Sequence, residues 1–244
     1  MLKNLFGGQK KTARAPDGVR IYAVGDVHGC AGHLDRLMAT IAKDEDGKPA
    51  QIVFLGDYLD RGPDSRAVVE RLLAIRAERP GAVFLKGNHE DVFLAFLNDP
   101  VGNADWLEWG GAETLESYGV ERPLGRDPAD LAVDLSARVP ASHMEFLKGL
   151  ELWRAFGDYL FVHAGLRPGV ALEAQSEQDL LWIRGDFHHA APDKRPDKVV
   201  VHGHQPLRKP LDAGWRIDVD TGACFGGRLT AVVLEGDSRR FISA

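Results

Sequence analysis

Side chains that can bind metal recur along this chain at the ends of short apolar runs. Gly25-Asp26-Val27-His28-Gly29 follows Ile21-Tyr22-Ala23-Val24, and Gly56-Asp57-Tyr58-Leu59-Asp60-Arg61-Gly62 follows Ile52-Val53-Phe54-Leu55. Gly87-Asn88-His89-Glu90 follows Ala82-Val83-Phe84-Leu85. Two later runs repeat the arrangement: Leu160-Phe161-Val162 leads to His163-Ala164-Gly165, and Val199-Val200-Val201 leads to His202-Gly203-His204-Gln205. Short β-branched runs of this kind read as buried strands. Ligands at the carboxyl ends of strands in one open α/β sheet meet in one crevice. Carboxylates, imidazoles and a carboxamide gathered there present oxygen and nitrogen lone pairs, which is the equipment of a metal site. A carboxylate has two oxygens and can bridge two cations, a role an imidazole or carboxamide does not ordinarily fill. The mixed oxygen and nitrogen set suits Mn²⁺, Fe or Zn²⁺, whereas an all-oxygen set would suit Mg²⁺ or Ca²⁺.

The order of these segments, with GDYLDRG and GNHE nearly in full, resembles the calcineurin-like metallophosphoesterases. Within them it resembles the bacterial branch of PPP-type serine/threonine protein phosphatases. The resemblance spans roughly residues 20 to 235; one GD-x-H-G alone would carry little weight, but five elements in order are specific. It implies two divalent transition-metal ions, with Mn²⁺ expected and Fe or Zn²⁺ compatible. Carried over position by position, Asp57 bridges the ions. Asp26 and His28 complete one protein shell, and Asn88, His163 and His204 complete the other. Two such ions bring four positive charges and the two carboxylates return two negatives, a balance suited to a phosphate dianion and to an ionised bridging water. That hydroxide is expected to attack phosphorus directly, in line, with no Cys or Ser nucleophile. His89 follows the ligand Asn88 and is expected to protonate the leaving oxygen, its ring oriented by Asp60. Arg61 and Arg184 are expected to grip phosphate oxygens through planar guanidinium forks, with Asn88 also facing substrate. The residues after Arg184 depart from the family pattern. His202 has two readings: beside the ligand His204 without binding metal, or a ligand of the first ion in a His-x-His pair.

The elements that must position these groups are legible in the spacing. Leu34, Leu37, Met38 and Ile41 predict a helix over 30–43, and Val68, Val69, Leu72, Leu73 and Ile75 predict one over 64–79, ended by Pro80-Gly81. A third helix is expected over 88–97, before Asn98-Asp99-Pro100. This strand–helix alternation implies parallel strands. Residues 100–150 break the rhythm with Trp106, Trp109 and Gly110-Gly111, then expected helices at 127–137 and 140–148. They read as a helical insertion whose tryptophans pack on the core, with a lid over the site as the sharper alternative. Further strands are expected at 158–162, 198–202, 215–219 and 229–234, with a short helix near 176–182. The fold class is therefore α/β. The resemblance implies a two-sheet sandwich flanked by helices. Residues 1–18 are expected as a flexible tail and 19–244 as a single domain. His188-His189 reads as an exposed pair in a loop.

The chain has 244 residues, a net charge of −6 and 44% hydrophobic content. That is enough for one large core, and without a basic excess it argues against binding long nucleic acids. No apolar run reaches the ~18 residues of a membrane span, and the N-terminus lacks a signal-peptide core. Cys30 and Cys224 are too few for a disulfide framework and read as reduced thiols, consistent with a cytoplasmic protein.

The leading expectation is a phosphoserine/phosphothreonine protein phosphatase acting on a phosphoprotein or small phosphoester. The alternative with the same core is a hydrolase of diadenosine tetraphosphate or another nucleotide pyrophosphate. That branch usually has other residues where Asp60 and Glu90 stand, so these two favour the phosphatase. A non-catalytic metal-dependent binding module would call for a degenerate site, and every expected ligand is present. The residues do not fix the oligomeric state.

Overall fold

The computed structural model describes residues 12–121 and 125–244. β1 (Arg20–Val24), α1 (Ala31–Glu45), β2 (Ala50–Phe54), α2 (Ser65–Glu78), β3 (Val83–Phe84) and α3 (Asn88–Asn98) alternate as the apolar spacing predicts. The inserted region holds a 3₁₀ turn (Ala104–Trp109), α4 (Gly111–Ser117), α5 (Pro128–Arg138) and α6 (Ala141–Lys148). Then come β4 (Trp153–Phe156), β5 (Tyr159–Val162), α7 (Glu177–Trp182), α8 (Gly185–His188) and β6 (Val199–His202). The chain finishes with β7 (Leu211–Asp212), β8 (Arg216–Asp218), β9 (Thr230–Glu235) and β10 (Ser238–Ser243). Local chemistry sets several boundaries. Asp64 caps α2 by accepting from the Ala67 N–H at 2.8 Å. Asp127 caps α5 just before Pro128, and Ser176 caps α7.

The strands form two five-stranded sheets, β10-β9-β1-β2-β3 and β4-β5-β6-β8-β7. β1, β2 and β3 are parallel, and β9 and β10 continue that sheet antiparallel. In the second sheet β5, β6 and β8 are parallel, with β4 and β7 antiparallel at its edges. Strand alternation explains the layers. Ile21 and Ala23 pack with Val53, Leu55, Phe161, Val201 and Ile217 in a core cluster drawn from both sheets. Tyr22, Val24, Ile52 and Phe54 point the other way, onto Leu34, Leu37, Val68 and Leu72 of α1 and α2. A third cluster packs α7 and α8 on the second sheet through Leu160, Val162, Leu180 and Phe187. Each fully buried Leu, Ile or Phe contributes about 1.5–3 kcal/mol, so the sandwich is a rigid base for the loops at its edge.

Two expectations need correction. The site-bearing strands do not share one open sheet. β1, β2 and β3 belong to the first, whereas β5 and β6, which deliver His163 and His204, belong to the second. Nor is the segment up to residue 18 wholly a solvated tail. Ala15 is buried, its N–H donates to the Gly236 carbonyl at 2.8 Å, and the Arg14 N–H donates to Asp158. Residues 1–11 lie outside the described residues.

Candidate metal centre

Two groups of buried donors meet at Asp57. One is His28, Asp57 and His89; the other is Asp57, His163 and His204. Sharing a carboxylate between two such groups is what a bridging ligand requires. His28 Nε2 lies 3.3 Å from Asp57 Oδ2, and His163 Nε2 lies 3.4 Å from Asp57 Oδ1. Asn88 Oδ1 joins the second group, 2.9 Å from His163 Nε2 and 2.8 Å from His204 Nδ1.

The tautomers decide whether these atoms can hold a cation. His28 Nδ1 contacts the Leu59 carbonyl at 2.8 Å, and His163 Nδ1 contacts the Leu55 carbonyl at 2.9 Å. A carbonyl only accepts, so Nδ1 carries the proton in each ring. In the neutral rings Nε2 then carries a lone pair on the side of Asp57, and that of His28 accepts from Arg61. Fixing the far nitrogen on a backbone carbonyl is how metal-binding histidines are oriented. Burial takes the His163 pKa below its ordinary value, and burial with the neighbouring His163 takes His204 down to about 2, so both favour the neutral form a metal needs. His28 is raised: burial lowers it, but the hydrogen bond and charge of Asp57 outweigh that. Asp57 stays well below the usual carboxylate range, since His163, His89 and His28 overcome the upward push of burial.

Asp26 lies outside those two groups but close by. Its two oxygens accept from the His204 N–H at 3.2 and 3.1 Å. Burial, followed by the charges of Asp220 and Asp57, holds its pKa well above the ordinary value. Three buried carboxylates, Asp26, Asp57 and Asp220, thus stand near one another. Facing lone pairs and crowded carboxylates are the environment that divalent cations neutralise, and the donor set fits two of them. Asp220, which the sequence reading did not assign, is buried with its charge acting on Asp26. Its signal was available: Asp220-Thr221-Gly222 ends the expected strand at 215–219, as the other segments end theirs.

The backbone is bent to present these groups. Among the described residues, six non-glycines have positive φ, and five of them are His28 (45°), Asp57 (51°), Asp60 (70°), Arg61 (65°) and His204 (71°). Such conformations cost about 1–3 kcal/mol each and persist where the surroundings over-determine them. Glu90 supplies much of that constraint. It is fully buried, and its Oε2 accepts from the Asp57 and Gly87 N–H groups, both at 2.9 Å. Its Oε1 accepts from Tyr58 at 2.8 Å and Leu59 at 3.1 Å. Burial and the charge of Asp57 push Glu90 up to about 7 against these donors. All four partners donate, so the ionised form is the one they satisfy. Glycine is needed beside the carboxylates: a Cβ at Gly87 would collide with Asp57 Oδ1, and one at Gly203 with Asp26 Oδ1.

His89 and Asp60 form the expected pair, with Nδ1 of the ring 2.7 Å from Asp60 Oδ2. Asp60 Oδ2 also accepts from the Trp106 indole N–H at 2.9 Å, and Asp60 Oδ1 from the Thr114 hydroxyl at 2.6 Å. The inserted region therefore reaches into the site. Trp106 is wedged against Phe93 and Phe96, as packing predicts, and also orients the carboxylate that orients His89. Arg61 Nη1 lies 2.8 Å from His28 Nε2, and Arg184 Nε donates to His204 Nε2 at 3.1 Å. The two guanidiniums thus approach opposite donor groups. Both line a cleft of about 1120 Å³ with Asn88, Trp109, Trp182 and Phe225. His202 is fully buried, its Nδ1 donating to the Gly203 carbonyl at 3.1 Å. It belongs to a separate group with His188 and Asp218. The exposed loop expected for His188-His189 holds for His189, which is exposed in a turn, and is corrected for His188, which is half-buried on α8 with its ring 5.5 Å from His202.

A model of the calcineurin-like phosphoesterase family matches residues 19–234, and the chain belongs to that family. It is accordingly a divalent-metal-dependent phosphoester hydrolase. It is 27% identical over 233 residues to the asymmetrical bis(5'-nucleosyl)-tetraphosphatase PrpE of Geobacillus sp. (strain WCH70), covering 87% of this chain and 89% of that protein. The enzyme of the same name from Oceanobacillus iheyensis is 25% identical, over 87% and 88%. Among solved structures, one provisionally described as a diadenosine tetraphosphatase superimposes with a TM-score of 0.65 and 23% identity, covering 96% of this chain and 95% of that chain. A protein serine/threonine phosphatase from Saccharomyces cerevisiae gives a TM-score of 0.62 and 16% identity over 93% and 80%. These two structural likenesses are of fold. Among the described residues no helix is long and apolar enough to cross a membrane.

Proposed function

We propose that the protein hydrolyses bis(5'-nucleosyl) tetraphosphates, cutting the phosphate chain off-centre into a nucleoside monophosphate and a nucleoside triphosphate. This reverses the order in which the sequence ranked its two substrates. The observation that carries it is the near full-length similarity to asymmetrical tetraphosphatases on a chain whose donor groups share Asp57. The size of the cleft is consistent, because about 1120 Å³ exceeds what a lone phosphate needs.

Asp26, His28, Asp57, Asn88, His163 and His204 would hold two divalent cations, with Asp57 between them and Asp220 adding charge beside Asp26. When bound, such ions neutralise phosphate charge and lower the pKa of a water toward ~7. The protein does the rest. Arg61 and Arg184 hold non-bridging phosphate oxygens and stabilise the charge that builds in the transition state. Asn88, at the first turn of α3, can turn its amide N–H toward another oxygen. His89 donates its Nε2 proton to the departing oxygen, while Asp60 holds its Nδ1. Trp106 and Thr114 hold Asp60 in turn.

The test is steady-state turnover of metal-stripped protein with Mn²⁺ added back, on diadenosine tetraphosphate, a phosphoserine peptide and p-nitrophenyl phosphate. The expected result is a kcat/KM on the dinucleotide at least ~100-fold above the peptide, with monophosphate and triphosphate products, abolished by Asp57→Asn. Peptide preference of that size would return the protein to the phosphatase reading.

A further inference from the structure

Phosphate hydrolysis by the arginines, the amide and the buried donors leaves the aromatic walls of the same cleft without a role. Among the described residues the large exposed hydrophobics are Val101, Trp109, Val133, Val170 and Phe225. Trp109 is 44% exposed and Phe225 is 65% exposed. Both aromatic members of that set line the cleft that holds Arg61 and Arg184. A solvent-facing indole and phenyl in one cleft beside a charged centre mark a ligand surface rather than scattered surface apolarity.

Each ring is coupled to one of the arginine arms. Phe225 lies under the Arg61 guanidinium, 5.5 Å from its centroid. Trp109 meets Trp182 edge-on, with centroids 6.0 Å apart and planes at 68°. Trp182 in turn lies 6.4 Å from the His204 ring and two residues before Arg184. The indole of Trp109 is therefore braced by a second indole while it stays open to the cleft. The cleft also carries both signs of charge: Arg61 and Arg184 attract phosphate, while the carboxylates of Glu108, next to Trp109 in sequence, and of Glu113 line it as well. An anionic group beside those carboxylates would be repelled. A flat, uncharged ring bearing N–H donors would be accepted, since carboxylates are acceptors. That description fits a nucleobase and disfavours the acidic flank of a phosphopeptide.

We propose that Trp109 and Phe225 are the stacking surfaces for the two nucleobases of the substrate, one at each arginine arm, with the polyphosphate running between. This rests on the dinucleotide reading of the site. It makes the two side chains determinants of specificity, remote from the reacting phosphorus.

The experiment compares the Mn²⁺-loaded parent with Trp109→Ala, Phe225→Ala and Trp109→Phe, on diadenosine tetraphosphate and p-nitrophenyl phosphate. Loss of one base stack is expected to raise KM for the dinucleotide by roughly 10- to 100-fold, with kcat within about twofold. Turnover of p-nitrophenyl phosphate, which has no base, should stay within about twofold in Trp109→Ala and Trp109→Phe and so report an intact fold and metal centre. Trp109→Phe should restore most of the affinity. Quenching of tryptophan fluorescence by adenosine 5'-triphosphate should be present in the parent and reduced in Trp109→Ala. A parent that prefers the dinucleotide, with an unchanged KM in both alanine variants, overturns the stacking proposal alone. A parent with no preference for the dinucleotide overturns the functional reading, and this proposal with it.

Discussion

Glu90→Gln tests whether one buried carboxylate organises the loop that carries Asp57, Asp60 and Arg61. Glu90 lies 0% exposed and receives four backbone N–H groups, two on each oxygen, from Gly87, Asp57, Tyr58 and Leu59. Glutamine has nearly the same shape but only one acceptor oxygen. Its amide nitrogen would face two N–H donors, leaving both without an acceptor. At about 1–3 kcal/mol for each buried unsatisfied group, the cost is about 2–6 kcal/mol. Relief of the repulsion between Glu90 and Asp57 offsets part of this, so about 3 kcal/mol is the working figure. For a domain of this size each kcal/mol moves the thermal midpoint by about 2–4 °C. The midpoint should therefore fall by about 6–12 °C in calorimetry of the metal-free protein, where cation binding cannot mask the loss. Activity should fall further than stability suggests. Displacing the loop by ~1 Å misplaces three site residues at once, an error that costs on the order of 100-fold in rate. Both effects should be visible in fully folded protein well below the midpoint. A Glu90→Gln midpoint within about 1 °C of the parent, with turnover within twofold, would refute the idea that this carboxylate holds the loop.

Trp106→Phe removes the indole N–H from Asp60 and keeps most of the packing against Phe93 and Phe96. It should lower kcat about 10-fold on an alkyl phosphate, whose leaving oxygen needs a proton, and much less on p-nitrophenyl phosphate, so equal losses on both would exclude a role through His89. Asp44 ties β1 to β10 through Arg20, Tyr22 and Arg240. Burial raises its pKa, but the hydrogen bonds of Arg240 and Tyr22 and the charges of Arg240 and Arg20 outweigh it, and the net shift is downward. A depressed carboxylate contributes stability above its unfolded pKa of ~3.9 and loses it as pH falls through the folded value. Asp44→Asn should thus cost about 1 kcal/mol at pH 7, and its denaturation midpoint should converge with that of the parent below about pH 4; a gap independent of pH would remove the electrostatic explanation.

The sequence by itself determined most of the elements and the residue types gathered at their ends. Periodicity is local, so Leu34, Leu37, Met38 and Ile41 placed α1, and β-branched runs placed β1, β2, β5 and β6 within a residue or two. Asp, His and Asn side chains at the ends of those runs read as metal-binding groups, and the family resemblance singled out Asp26, His28, Asp57, Asn88, His163 and His204 among them. Short edge strands were not legible: β4, β7 and β10 depend on pairing with a distant partner rather than on their own pattern. Nor was the division of the site between two sheets, because strand ends look alike whichever sheet they join. The tertiary structure also decided what each polar group does. Trp106 meets Asp60 across 46 residues and the His204 N–H meets Asp26 across 178, separations over which spacing carries no information. Glu90 read as a motif letter until the fold turned four N–H groups toward it. A residue type fixes what a side chain can donate or accept, but only packing around it fixes the direction, and in a buried site the direction is the function.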